Sequence, residues 1–80
     1  MKVIEAIVKS IIGDLVPDSV GIYYNTDLKI DLNLSTEELE LIRERIQVIF
    51  DLHISKELFV STITYGELCE SVLTVYNRQI

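Results

Sequence analysis

The sequence predicts an all-α fold, a small four-helix bundle with a long first loop and a short third helix. Three observations point there. Apolar residues recur at spacings of three and four in the first, middle and last parts of the chain. The tetrapeptide Ser35-Thr36-Glu37-Glu38 has the form of a helix-opening capping box, and Thr64 stands just ahead of the last apolar stripe. The stretch between the first two stripes holds Pro17, Gly21, Asn25, Asp27 and Asn33, residues that break helices, with no partner strand in evidence.

The first helix is expected from Val3 to Val16, ended by Pro17, because Val3, Ile4, Ile7, Val8, Ile11, Ile12, Leu15 and Val16 share a face between Glu5, Lys9 and Asp14. Residues 17–34 read as a loop anchored by Val20, Ile22, Leu28, Ile30 and Leu32, with a short strand as the lesser alternative. So long a connection in so small a domain is unusual and hints at function. The second helix opens at Ser35 and buries Leu39, Ile42, Ile46 and Ile49, and Asp51 to Ser55 breaks its pattern. A short third helix is expected from Ser55. The last one is capped by Thr64 and turns Leu68, Val72, Val75 and Tyr76 inward. The expected core combines Ile4, Ile7, Ile11, Leu15, Leu28, Leu32, Ile42, Ile46, Phe50, Leu68 and Val72.

Eighty residues, 49% hydrophobic and 25% charged, make one small domain over 1–80, too short to enclose a deep catalytic cleft. A net charge of −6 would repel a phosphate backbone, which argues against nucleic acid and for partners with basic patches. The apolar runs are too short to span a membrane, no signal-peptide pattern is read, and the lone Cys69 has no intramolecular disulfide partner. The expectation is a monomer in a reducing cytoplasm.

The residues offer little chemistry of their own. His53 follows Phe50 and Leu52 with no second ligand or triad member near it in sequence, and reads as a surface or half-packed side chain. Cys69, beside Leu68 and Val72, reads as a small buried hydrophobe. Of the adjacent Tyr23 and Tyr24, one is expected to pack and the other to face water. No acid, base and nucleophile converge, so no catalytic residue is assigned and an enzyme is not expected. Glu37, Glu38, Glu40 and Glu44 make an acidic face that suits the helix dipole and could also receive a basic partner, although Arg43 and Arg45 dilute it.

Taken in order, several fragments resemble the acyl carrier protein family over nearly the whole chain. "VIEAIVKSIIGDL" is similar to its first helix, "TDLKIDL" to the loop segment ending in Asp-Leu, "IFDLHIS" to the end of its second helix, and "TYGEL" to the Thr-Val-Gly-Asp-Leu that opens its last helix. The resemblance implies a carrier of acyl or aminoacyl groups for a fatty-acid, polyketide or specialised pathway. The group would be held as a thioester on a covalent 4'-phosphopantetheine arm. It also implies a phosphopantetheinyl transferase and acyl-processing enzymes with basic docking patches as partners. The family attaches the arm to the serine of an Asp-Ser-Leu that follows Asp-Leu-Gly. Here the chain reads Asp31-Leu32-Asn33-Leu34-Ser35-Thr36, without the aspartate before the serine or the leucine after it. An ungapped register from "IFD" places Thr36 at the attachment position, where a threonine is expected to stay unmodified. A register that aligns "STEELELI" with the family's Ser-Leu-Asp-Thr-Val-Glu-Leu-Val places Ser35 there, and Ser35 is the preferred position. An N-cap role alone would also account for this serine. The alternative function is a degenerate carrier-like domain without the arm, acting by protein contacts only.

Overall fold

The computed structural model describes residues 2–17, 20–57 and 64–79. Among them the protein is helical: α1 (Lys2–Gly13), α2 (Thr36–Phe50) and α3 (Tyr65–Gln79), with α1 packed against both of the others. No strand is present among the described residues, only an isolated antiparallel bridge between Asp27 and Thr64. The short helix predicted from Ser55 runs into residues outside the described ones.

In α1 the 3.6-residue repeat turns Ile4, Val8, Ile11 and Ile12 into the core and leaves Val3 on the surface. The helix ends at Gly13, three residues before the expected stop at Val16. Glycine is a poor helix former, and the residue ahead of a proline is pushed out of the helical region, so residues 14–16 leave through a turn. Leu15 and Val16 still lie half-buried against the core.

The crossover from α1 to α2 is ordered by its own side chains. Asp27 Oδ1 accepts the N–H groups of Lys29 and Ile30 at 2.9 and 2.7 Å, and Asp31 N–H donates back to Asp27 O at 3.0 Å. Residues 27–31 therefore form one helical turn. Positions four apart share a face in such a turn, so Leu28 and Leu32 are buried while Ile30, between them, points to solvent at 81% exposure. The expectation that Ile30 anchors the loop is overturned by this turn, which puts it on the outer side. Leu34, not among the expected anchors, is buried through the bond from its N–H to Leu28 O at 3.2 Å.

α2 buries Ile42 and Ile46 completely and Leu39 partly. Ile49, expected in the same stripe, is 54% exposed. It lies with Val3 and Tyr76 around an open groove of 600 Å³ between the start of α1, the end of α2 and the second half of α3. Tyr76, expected on the inner face, is on that rim as well, its ring meeting Phe50 edge-on at 6.4 Å. The helix stops where Asp51 adopts a left-handed conformation at φ 54°. Arg43 and Gln47 then reach over the next segment: Arg43 Nη1 donates to Ile54 O at 2.6 Å and Gln47 Oε1 accepts from Ile54 N–H at 2.8 Å. Gln79 completes the clamp, exchanging both amide bonds with the His53 backbone at 3.1 and 2.9 Å.

The crossover is fastened to the head of α3. Gly66 is the contact residue: a Cβ there would sit 2.6 Å from Tyr24 Cδ1 and 2.9 Å from Tyr24 O, the same carbonyl that accepts Gly66 N–H at 3.0 Å. Gly13 has nothing within 4 Å of an added Cβ. Urea unfolding should therefore separate two superficially alike helix substitutions. Gly66→Ala is expected to lose about 1–3 kcal/mol through the forced backbone shift, and Gly13→Ala to gain up to about 1 kcal/mol of helix propensity.

Candidate functional site

The start of α2 places the hydroxyl pair singled out in the sequence. Ser35 is the N-cap, with φ −77° and ψ 166°, and Thr36 is the first helical residue. The capping box is complete: Glu38 N–H donates to Ser35 Oγ at 3.1 Å and Ser35 N–H donates to Glu38 Oε1 at 2.9 Å. Both hydroxyl residues are solvent-exposed. The capping bond uses a lone pair of Ser35 Oγ and does not involve its hydroxyl proton. Two residues earlier, Asn33 holds a left-handed backbone at φ 53°, a conformation that asparagine tolerates better than most residues other than glycine.

The four glutamates divide by partner. Glu38 is half-buried and committed to the cap. Glu40 is paired with Arg43, and hydrogen bonding to that guanidinium holds its carboxyl below the usual carboxylate range, while the same bond raises Arg43 further. Glu37 and Glu44 stand exposed at the surface. Arg43 is thus turned against the protein toward Ile54, and Arg45 makes only a loose 3.6 Å contact with Asp14. Val48 is 81% exposed and lies with Leu41, Glu44 and Arg45 along an open apolar strip on the outer side of α2.

Elsewhere the residues that suggest chemistry have structural surroundings. His53 follows the C-terminal cap of the 15-residue α2, about 22 Å long, with Ser35 at the other end, so the two cannot act as a nucleophile and base pair. Cys69 is wholly buried, and burial pushes its thiol up, away from the reactive thiolate. Tyr65 is buried at the start of α3 and donates its hydroxyl to Glu5 O at 2.7 Å, tying α3 to α1. Desolvation, followed by hydrogen bonding to Cys69, raises the Tyr65 phenol well above its ordinary value. Tyr23 and Tyr24 are both exposed, at 68% and 54%, instead of dividing between core and solvent. Thr26, the one buried polar residue among the described residues, and the Arg43–Gln47 clamp could not be singled out from local pattern, since both depend on contacts between distant segments.

No protein-family model matches the chain, and no curated protein matches it.

Tyr65 and Cys69 fix the alkaline behaviour. Both have folded values raised above their ordinary ones, so the unfolded chain releases these protons first. The stability they contribute is complete below pH about 8 and falls as pH climbs past the unfolded values, about 8.5 for the thiol and about 10 for the phenol, by up to about 1.4 kcal/mol per pH unit for each proton. Denaturant midpoints measured from pH 7 to 11 should show that decline. Tyr65→Phe should be less stable at pH 7, through loss of the bond to the Glu5 carbonyl that ties α3 to α1, and should show a shallower alkaline slope.

Proposed function

We propose that this chain is a carrier domain of the acyl carrier protein type, with Ser35 as the attachment point of a 4'-phosphopantetheine arm. Asn33 is the observation that carries this reading. It stands where the resemblance puts the glycine of Asp-Leu-Gly, and it has the left-handed backbone that a glycine would serve. The turn it makes delivers Ser35, exposed, to the head of α2. A transferase would join Ser35 Oγ to the phosphorus of the pantetheine phosphate of coenzyme A, with cleavage of the pyrophosphate bond and departure of the adenosine bisphosphate. The new phosphodiester would carry a negative charge at the positive end of the helix dipole, where it is stabilised, against some repulsion from Glu37 and Glu38.

Glu37 and Glu44 are the exposed carboxylates for a basic docking patch, with the apolar strip of Leu41 and Val48 alongside. The partners in this reading are the transferase and acyl-processing enzymes, met by a cytoplasmic monomer. Cargo would be an acyl or aminoacyl thioester at the arm's thiol. A second reading has its own support: the reciprocal bonds of the capping box occupy both Ser35 and Glu38 without any modification. The chain would then be a carrier-like domain without the arm, acting by protein contacts alone.

Intact mass after incubation with coenzyme A separates the two, using both a promiscuous transferase and the protein's native one. The carrier reading expects a mass gain of one phosphopantetheine that Ser35→Ala abolishes and Thr36→Ala leaves intact. No gain with either transferase, alongside a loss of about 1 kcal/mol in Ser35→Ala, would leave the serine as a cap only.

A further inference from the structure

A broad open cleft lies away from the head of α2. It has a volume of 630 Å³, within the range of small-molecule sites, and no wall of it comes from residues 33–54. One side is α1, which presents Lys2 and Lys9; the other is the 22–25 loop with Tyr23, Tyr24 and Asn25, and Tyr65 closes the end. Three features set it apart from an ordinary surface hollow. Its two lysines have no ion-pair partner among the described residues, and in a chain of net charge −6 they outnumber the single carboxylate of the cleft, Glu5. Its two exposed tyrosines are seated on glycines: Tyr23 Oη lies 2.7 Å from where a Cβ on Gly21 would be, and the Tyr24 ring lies against Gly66. The loop bearing them is held by backbone bonds, Tyr24 O accepting from Gly66 N–H and Thr26 O from Tyr65 N–H at 2.9 Å. Rings that are exposed yet fixed in place form a preorganised stacking surface, and binding to such a surface forfeits little ordering entropy.

We propose that this cleft binds a small anionic molecule bearing a planar aromatic ring, the ring lying on Tyr23 and Tyr24 and the anion meeting Lys2 and Lys9. Aromatic faces supply the apolar contact and the lysines act as point charges for a phosphate or carboxylate. Asn25 and the peptide groups of the loop add hydrogen bonds at the edge. The inference is independent of the carrier reading, because it uses none of that site's residues.

The test titrates the full chain with AMP, adenosine and ribose 5-phosphate, following amide shifts by ¹H–¹⁵N correlation. AMP is expected to shift the amides of residues 22–26 and the first half of α1. Adenosine and ribose 5-phosphate, each lacking one half of the recognition, should bind roughly tenfold more weakly. The double variant Lys2→Gln, Lys9→Gln should lose about tenfold in AMP affinity and most of its salt dependence. Tyr23→Ala should weaken AMP and leave ribose 5-phosphate unchanged. All three substituted side chains are exposed, so the melting transition should stay in place. Absence of shifts at millimolar AMP would overturn the proposal, as would equal binding of AMP and adenosine or shifts centred outside the cleft.

Discussion

The first turn of α3 is where this fold is tied together. A helix begins with backbone N–H groups that its own carbonyls cannot reach, and a helix buried at that end must find them other acceptors. Here the crossover loop supplies them. Tyr65 N–H donates to Thr26 O, Gly66 N–H to Tyr24 O, and Glu67 N–H to Thr64 Oγ1, while Thr64 N–H is answered by Glu67 Oε1 at 3.0 Å. Thr26 sits at the centre, buried, with its hydroxyl accepting Tyr23 N–H at 2.8 Å. One polar residue therefore shapes the turn at 23–26 and hands its carbonyl to α3.

Apart from the Asp27 turn, the described residues of the loop between α1 and α2 form no helix or strand, yet they carry Ile22, Leu28, Leu32 and Leu34 into the core. Without attachment to α3, the entropy of fixing that length of chain would be opposed only by those apolar side chains and the loop's own turn bonds. The clasp also determines what lies on the surface. It fixes the two exposed tyrosines in one wall of the large cleft, and the Asp27 turn beyond it leads to the left-handed Asn33 and the capped Ser35. A second fastening, by Arg43, Gln47 and Gln79, holds the chain leaving α2. Charged and amide groups that could pass for a binding face are in this way partly consumed by the fold.

Local signals were legible in the sequence to the extent that local physics governs them. The three-and-four spacing placed α1, α2 and α3, the hydroxyl-to-glutamate pattern placed the cap at Ser35 and the hydroxyl ahead of the last stripe the one at Thr64, because each involves contacts within one or two turns. Buried positions on these stripes, such as Ile42, Ile46, Leu68 and Val72, followed. Misplaced residues were those whose surroundings are set by other segments. Ile30 points outward because Asp27 bends the loop into a helical turn, and Ile49 is half-bare because it lines the groove where the start of α1, the end of α2 and the second half of α3 meet. Tyr65 and Ile54 are buried by contacts across the chain that spacing does not reveal. At the candidate site the serine and its cap were legible. The left-handed backbone of Asn33 was not, since asparagine favours such a conformation without requiring it.

Amide hydrogen exchange at Tyr65 and Gly66 tests the clasp most directly. The first amides of a helix ordinarily exchange fast, being unpaired within the helix. If the crossover loop is their acceptor, these two should exchange only with global unfolding, as slowly as Ile42 and Ile46 in the middle of α2. Exchange at Tyr65 and Gly66 orders of magnitude faster than at those two core positions would contradict the account.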